Sequence, residues 1–204
     1  FDNLNSTFEN ISVVNANVKG SGVYVSTFIG RKYGGSIKDV YVQGTLECTT
    51  TENGGIIGAL QKGGTITNTI SNVAVTKPSN TDSLNRQLNG GFIGNIYNDG
   101  SSVPKIKNSI SIGSMTGYTD EAGEKNPYKF TGASEEIIVA SLVNCYEYTI
   151  AAGMSSVTGN TGNNLKGATS ANIHDVNFYR ETLAFDEKVW NFGSIVSTGH
   201  PTLK

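Results

Sequence analysis

The residue types that support nucleophilic or acid–base catalysis occur in this sequence, but not in the arrangements that such chemistry requires. His174 is followed directly by Asp175, and adjacent residues on a helix point in different directions, so the pair does not predict a Ser-His-Asp triad. We interpret His174 as a surface or capping histidine. His200 precedes Pro201 and is interpreted as a turn residue. We therefore predict no catalytic residue in this chain.

Catalysis by paired carboxylates, as in sugar-cleaving enzymes, needs acids that converge to about 5–9.5 Å. Asp39 occupies a position that recurs along the chain, but the equivalent positions carry asparagine. The neighbouring acids at 120–121 and 135–136 are interpreted as solvated loop charges. A carbohydrate-cleaving enzyme is therefore not predicted.

Composition argues against two further function classes. Lys and Arg number 15 and Asp and Glu 17, so the formal net charge of −2 gives no reason to expect nucleic-acid binding. The sequence has no run of about 18 apolar residues, and we predict no membrane insertion. Glycine is abundant at 25 residues, which is typical of a chain with many tight turns between short strands.

The elements that would position any functional side chain are indicated by two interleaved patterns. The first is an apolar residue, any residue, Asn or Asp, and then small or β-branched residues. Its copies begin at Phe8, Ile37, Ile66, Ile106 and Leu142, which are 29, 29, 40 and 36 residues apart. The second lies between these copies, as Phe28-Ile29-Gly30, Gly55-Ile56-Ile57-Gly58 and Gly91-Phe92-Ile93-Gly94. Strict alternation of two motifs indicates a repeat architecture.

We predict an all-β fold, a parallel β-helix of about five rungs in which each strand pairs with its equivalent one repeat later. A right-handed solenoid is expected because crossovers between parallel strands are almost always right-handed. Residues 1–152 would form the rungs, and residues 153–204 would form a loop, a helix and a C-terminal cap of the same domain. The longer intervals predict insertion loops at 75–90 and 113–136.

Stacked rungs place equivalent residues in columns. The Asn or Asp of each copy would form a polar ladder at a corner, with amide bonds between rungs that Asp39 interrupts: Asn10, Asp39, Asn68, Asn108 and Asn144. Two residues later, a column of Ser12, Tyr41, Ile70, Ile110 and Tyr146 follows. By alternation this stripe faces outward. It is either a docking surface for a partner or covered by the loops or the C-terminal helix.

The C-terminal part changes in character. Residues 153–167 are predicted to be a loop, and a helix is predicted from Ser170, its N-cap, to about Leu183. Aromatic side chains would cover the last rung: Phe178, Tyr179, Phe185, Trp190 and Phe192. Cys48 and Cys145 would lie about 14 Å apart, too far for a disulfide, so free thiols are predicted. No cofactor or metal is expected in this segment.

Two groups of motifs resemble a known family. The pattern at 91–94 and Ile106-Lys107-Asn108-Ser109 resemble the GLUG repeats of bacterial surface proteins. The end resembles the usual end of such a repeat domain: Phe178-Tyr179, Thr182-Leu183-Ala184-Phe185-Asp186, Val189-Trp190-Asn191-Phe192 and Gly199-His200-Pro201-Thr202-Leu203-Lys204. Over roughly residues 8–204, these motifs are similar to the middle region of the IgA1-specific zinc metalloproteases and their relatives on Gram-positive cell surfaces.

The resemblance implies a non-catalytic substrate-recognition or positioning module of an extracellular protein, secreted or at the bacterial cell surface. The family's His-Glu-x-x-His zinc motif has no counterpart here, because Asp175 follows His174 and no histidine lies four residues on. Zinc and catalysis are therefore expected elsewhere in a parent metalloendopeptidase. We interpret the start at Phe1 as the cut end of a longer protein.

The implied partners are immunoglobulin A1, neighbouring domains of the protease, or both. The alternative is an adhesin or glycan-binding repeat module with no protease attached. In that case tyrosines such as Tyr97, Tyr118 and Tyr128 would stack on sugars.

Overall fold

The computed structural model describes residues 2–77, 88–97, 102–116, 130–132, 137, 140–148 and 164–204. Most of the two predicted insertion loops, and most of the predicted loop at 153–167, lie outside these residues. Strands dominate the described part, as the all-β prediction requires.

In chain order the strands are β1 (Asp2–Leu4), β2 (Thr7–Gly20), β3 (Ile29–Tyr33), β4 (Ser36–Cys48), β5 (Ile57–Gln61), β6 (Thr65–Thr76), β7 (Ile93–Ile96), β8 (Lys105–Lys107), β9 (Ile110–Ser111), β10 (Met115–Thr116), β11 (Leu142–Val143), β12 (Cys145–Tyr148), β13 (Leu165–Ala168), β14 (Trp190–Asn191) and β15 (Thr202–Leu203). The C-terminal helices are α1 (Ser170–Ile173), a π-helix (Phe178–Thr182), a 3₁₀-helix (Phe192–Ser194) and α2 (Ile195–Thr198).

The first thirteen strands form two parallel sheets. The four-stranded sheet has the order β1-β3-β5-β7. In the nine-stranded sheet, β2, β4 and β6 follow one another, β6 pairs with β8, β9 and β10, and β11, β12 and β13 continue the sheet. Strands β14 and β15 form a separate antiparallel pair.

Each strand pairs with the strand that carries the next copy of its own pattern. The first pattern pairs Phe8 with Ile37, Ile37 with Ile66, Ile66 with Ile106, and Ile106 with Leu142. The second pairs Ile29 with Ile57 and Ile57 with Ile93. Both predicted registers are confirmed. Parallel strands need long connections, which is why pairing skips sequence neighbours.

One hydrophobic cluster forms the core between the sheets, and it includes Ile37, Val42, Leu46, Ile57, Ile66, Ile93 and Leu142. The two cysteines are buried free thiols in the same cluster. Burial raises the pKa of Cys145 to about 12, so this thiol stays protonated at neutral pH. Both cysteines therefore serve as small apolar core residues.

The glycines of the second pattern are required by close approach of another part of the backbone. A Cβ atom on Gly58 would lie 2.6 Å from Cα of Tyr24, and one on Gly94 would lie 2.6 Å from the carbonyl carbon of Glu52. Tyr24 and Glu52 both have left-handed backbone conformations, with φ of 66° and 60°. The chain therefore turns at these two residues directly over the glycines.

The segment Phe130-Thr131-Gly132 is a further copy of the second pattern, which sequence analysis missed. The amide of Ile56 donates to the carbonyl of Phe92 at 2.9 Å, and that of Phe92 donates to the carbonyl of Phe130 at 3.1 Å. The amide of Phe130 donates instead to Oε2 of Glu147 at 2.9 Å. Glu147 is fully buried, and its side chain takes the place of the next carbonyl in this line of bonds.

The members of the predicted polar ladder lie inside β2, β4 and β6 and between strands at Asn108 and Asn144, and they share one backbone conformation. All five members have positive φ, between 50° and 57°: Asn10, Asp39, Asn68, Asn108 and Asn144. Asn and Asp adopt this left-handed region more easily than other residues with a side chain. The expected amide bond between neighbours is present from Asn144 to Asn108, at 3.0 Å. A continuous ladder of amide bonds is therefore not needed to explain the repeated asparagines.

The C-terminal region differs from its prediction in two ways. Strand β13 pairs with β12, so the sheet continues beyond the predicted boundary at residue 152. The predicted single helix is broken, and its N-cap is Thr169 rather than Ser170, since Thr169 and Asn172 form a capping box. After α1, the backbone amide of Asn177 donates a hydrogen bond to Oδ1 of Asp175 at 2.9 Å. Such a local side-chain bond competes with the backbone bonds that would continue the helix.

Candidate recognition surfaces

The predicted stripe is present as a column on the nine-stranded sheet, since the register pairs Tyr41 with Ile70, Ile70 with Ile110, and Ile110 with Tyr146. These side chains belong to a second hydrophobic cluster, separate from the core. Tyr41 is only 4% exposed, Tyr146 is 7% exposed, and the two isoleucines are fully buried. The interpretation as an exposed docking surface is therefore wrong, and the covered alternative is confirmed.

We call residues 169–204 the C-terminal cover, because they pack on the stripe. The buried apolar side chains of the cover are Phe178, Tyr179, Leu183, Phe185, Trp190, Phe192 and Ile195. The rings of Phe178 and Tyr146 meet edge-to-face, with centroids 5.0 Å apart. Each large apolar side chain buried in this way contributes about 1.5–3 kcal/mol, so the cover as a whole is firmly held.

One hydrogen bond ties the cover to the polar ladder. Nε1 of Trp190 donates to Oδ1 of Asp39 at 3.0 Å, and both residues are buried. Oδ2 of Asp39 lies 3.5 Å from Nζ of Lys38. A carboxylate that accepts a buried N–H forms a charge-assisted bond, which gives the one acid of the ladder a role that its sequence position did not indicate.

His200 forms the second polar link between the cover and the sheet. Its ring stacks on that of Tyr41, with centroids 4.9 Å apart and planes 30° apart. Nε2 lies 3.1 Å from Oη of Tyr41 and 3.2 Å from Nδ2 of Asn72. Nδ1 lies 3.1 Å from the carbonyl oxygen of Pro201. The interpretation of His200 as a turn residue missed this buried contact, whereas His174 is exposed, as predicted for a surface histidine.

A different group of aromatic and charged side chains lies on the four-stranded sheet, away from both hydrophobic clusters. We define the tyrosine face as Tyr24, Arg31, Tyr33, Glu52 and Tyr97, all of which are half-buried. Arg31 and Tyr33 belong to β3, and Tyr97 directly follows β7. Tyr24 and Glu52 are the corner residues above the glycines of β5 and β7. The repeat therefore brings together residues that are up to 73 positions apart in the sequence.

The side chains of the tyrosine face hold one another in place. Cζ of Arg31 lies 5.1 Å from the ring centroid of Tyr24 and 5.0 Å from that of Tyr33, which is the geometry of a double cation–π contact. Oη of Tyr97 donates to Oε2 of Glu52 at 2.5 Å. Burial and this hydrogen bond raise the pKa of Tyr97, so its hydroxyl remains protonated.

Tyrosine and arginine are the residue types most enriched among the energetically dominant residues of protein interfaces. Tyrosine combines a large apolar ring with a polar group, and it loses little conformational freedom on binding. Because the contacts within the tyrosine face already restrict its rings, a ligand would meet a largely preorganised surface.

Comparison with known proteins gives no relative. No family model matches the sequence, and no curated protein or solved structure is significantly similar to it.

Among the described residues, no three His, Cys, Asp or Glu side chains converge on a point where a metal ion could be held. None of the helices in the described part of the chain has the length and hydrophobicity needed to span a bilayer.

Of the candidate sugar-stacking tyrosines, only Tyr97 lies within the described residues, and it belongs to the tyrosine face. Tyr118 and Tyr128 lie outside them. Sequence analysis missed Tyr24 and Arg31, although Tyr24 precedes one copy of the second pattern and Arg31 follows it. The predicted register could have identified them, because residues at the same distance from successive copies of that pattern lie on neighbouring strands.

Proposed function

We propose that this chain is a non-catalytic recognition or positioning module whose tyrosine face contacts a partner. The observation that carries the proposal is the Tyr24–Arg31–Tyr33 stack beside the Tyr97–Glu52 pair. None of these residues belongs to the hydrophobic cluster that the C-terminal cover forms with the stripe. The module is a right-handed parallel β-helix, a proposal supported by the parallel pairing of successive copies of both patterns.

The partner that the repeat motifs favour is immunoglobulin A1, bound on behalf of a zinc metalloendopeptidase whose active site lies outside this segment. That parent would act outside the cell, secreted or attached to the bacterial surface. The support is the resemblance of the GLUG-type repeats and of the closing segment at 178–204 to the middle region of IgA1-specific metalloproteases. Adjacent domains of the same protease are the other surface that the module would contact.

The experiment is surface plasmon resonance of the chain against IgA1 and IgA2. Wild-type protein is expected to bind IgA1 and not IgA2. Arg31→Ala and Tyr33→Ala should each weaken binding about tenfold or more, the loss typical of a central interface residue. Thr45→Ala, an exposed change on the other sheet, is the matched control and should bind as wild type. Equal binding of both immunoglobulins, or none, would contradict the proposed partner.

A glycan is the second candidate ligand, and the tyrosine face also favours it. Tyrosine rings stack on the apolar faces of sugars, while arginine and carboxylate groups bond to their hydroxyls. An array of bacterial and host glycans separates the two candidates. Binding to a glycan that Tyr33→Ala abolishes, with no binding to deglycosylated IgA1, would support the glycan-binding module.

A further inference from the structure

His200 is the buried histidine of the C-terminal cover, and the hydrogen bonds of its ring depend on its protonation state in the physiological range. A carbonyl oxygen can only accept a hydrogen bond, so Nδ1 of His200 carries the proton that faces Pro201. Nε2 is then the acceptor, and it faces the Tyr41 hydroxyl and the Asn72 amide. The observed arrangement is therefore that of neutral imidazole.

Protonation would make Nε2 a donor, which the Tyr41 hydroxyl can accept, but the Asn72 amide nitrogen only donates and would lose its acceptor. The groups that face His200 are Tyr41 from β4, Asn72 from β6 and His174 from the end of α1. None of these three supplies a negative charge at neutral pH, since burial raises the pKa of Tyr41. Asp39, two residues before Tyr41, is already bonded to Trp190. An imidazolium at this position would be buried, and none of the described residues that face it would act as its counter-ion.

Only a small part of the C-terminal cover depends on this contact. His200 is followed by β15, which pairs with the two residues of β14 and packs against β2 and β4. The aromatic residues at 178–192 are anchored by their own burial, which far exceeds the few kcal/mol that one titrating histidine can supply. Acid would therefore act on the last residues and leave the rest of the cover in place.

We propose that residues 199–204 form a pH-sensitive latch, which detaches from Tyr41 and from the edge of the nine-stranded sheet when His200 is protonated. Release uncovers the first tyrosine of the stripe and leaves the remaining stripe residues covered. The inference rests on the geometry of His200 alone and does not depend on which partner the module binds.

The direction of the pH effect follows from linkage. Burial is the main cause that lowers the pKa of His200 below its ordinary value of 6.5. The closed latch is therefore fully favoured above about pH 6.5 and loses stability as the pH falls through the lowered pKa. Between those two values the open population is expected to rise about tenfold for each pH unit.

Hydrogen exchange of the 199–204 segment, measured by mass spectrometry between pH 7.5 and 5 and corrected for intrinsic exchange rates, tests the latch. Wild-type protein should lose protection in this segment as the pH falls, while the aromatic part of the cover keeps its protection. His200→Gln should remove the pH dependence. Val196→Ser, which changes an exposed side chain of the C-terminal cover, is the matched control and should keep the wild-type pH dependence.

Titration of the two wild-type imidazoles by NMR provides a test that needs no variant to fold. The amide signals of Thr202 and Leu203 should shift with the midpoint of His200, which should lie below the ordinary histidine value of 6.5. The latch is overturned if protection at 199–204 is the same at pH 7.5 and pH 5, if His200→Gln keeps the wild-type pH dependence, or if the amide shifts follow His174.

Discussion

At the residue scale, left-handed backbone conformation explains why asparagine recurs in this sequence. Asn68 and Asn108 share their φ with Asp39, although their side chains do not share its partner. The left-handed backbone conformation determines the residue type at these positions. The hydrogen-bond partner of each side chain depends on which part of the chain packs against it. Sequence analysis located the column correctly because a repeated short polar residue marks a repeated left-handed position.

Gly58 provides a direct test of the close approach at Tyr24. Gly58→Ala should lower the free energy of unfolding by about 1–3 kcal/mol, because its Cβ would overlap Cα of Tyr24 and the backbone must move. Gly22→Ala is the matched control, since a Cβ there meets no atom within 4 Å. Urea unfolding of both variants measures the difference. An equal effect at the two sites would refute the close packing.

The bond between Asp39 and Trp190 is tested by removing the acceptor. Asp39→Ala leaves the buried indole N–H without a partner and should cost about 1–3 kcal/mol of stability. Asp39→Asn keeps an acceptor oxygen and suits the left-handed backbone, so it should stay much closer to wild type. Chemical denaturation followed by Trp fluorescence reports on both. If the two variants unfold alike, the bond does not stabilise the cover.

At the element scale, Glu147 accepts the last hydrogen bond in the series of backbone bonds that joins Ile56, Phe92 and Phe130. The predicted registers located the strands of both patterns, but the irregular copy at 130–132 replaces the isoleucine of the pattern with Thr131 and escaped recognition. Glu147 could not be assigned from sequence either, since nothing local distinguishes a buried acid from a solvated one. Its role depends on a contact with a residue 17 positions earlier.

Glu147→Ala should destabilise the last strands of the repeat by about 1–3 kcal/mol, because the buried amide of Phe130 loses its acceptor. Glu147→Gln keeps a side-chain carbonyl and is expected to retain most of the stability. Hydrogen exchange of the Phe130 amide is the specific readout, and it should accelerate in Glu147→Ala. Unchanged protection of that amide in the Ala variant would show that Glu147 does not terminate the line.

The stripe illustrates what sequence reasoning can and cannot supply at this scale. Alternation placed Tyr41, Ile70, Ile110 and Tyr146 on one outward face, and the register confirms that they form one column. Whether the column is exposed depends on where the last 36 residues pack, which no local pattern specifies. Apart from Tyr97, the tyrosine face was missed because its members come from corners and strands of three different repeats.

At the scale of the whole molecule, the C-terminal cover makes the stripe part of the interior. Deletion of residues 169–204 should expose the stripe, bind the dye ANS and self-associate, because a contiguous apolar column would face solvent. Val196→Ser, which alters a side chain of the cover that is 95% exposed, is the control and should remain unchanged. A truncated protein that stays monomeric without dye binding would contradict this account.

The central claim is that successive repeats lie side by side, parallel and in register, since both the stripe and the tyrosine face depend on it. The most direct measurement is disulfide formation in Asn17→Cys/Thr45→Cys, which replaces two exposed residues that are paired in the β2–β4 register. We predict rapid oxidation of this pair, because neighbouring strands lie about 4.8 Å apart, within disulfide reach. Lys19→Cys/Thr45→Cys, two residues out of register, should remain reduced. Oxidation of the second pair in preference to the first would contradict the register on which the account rests.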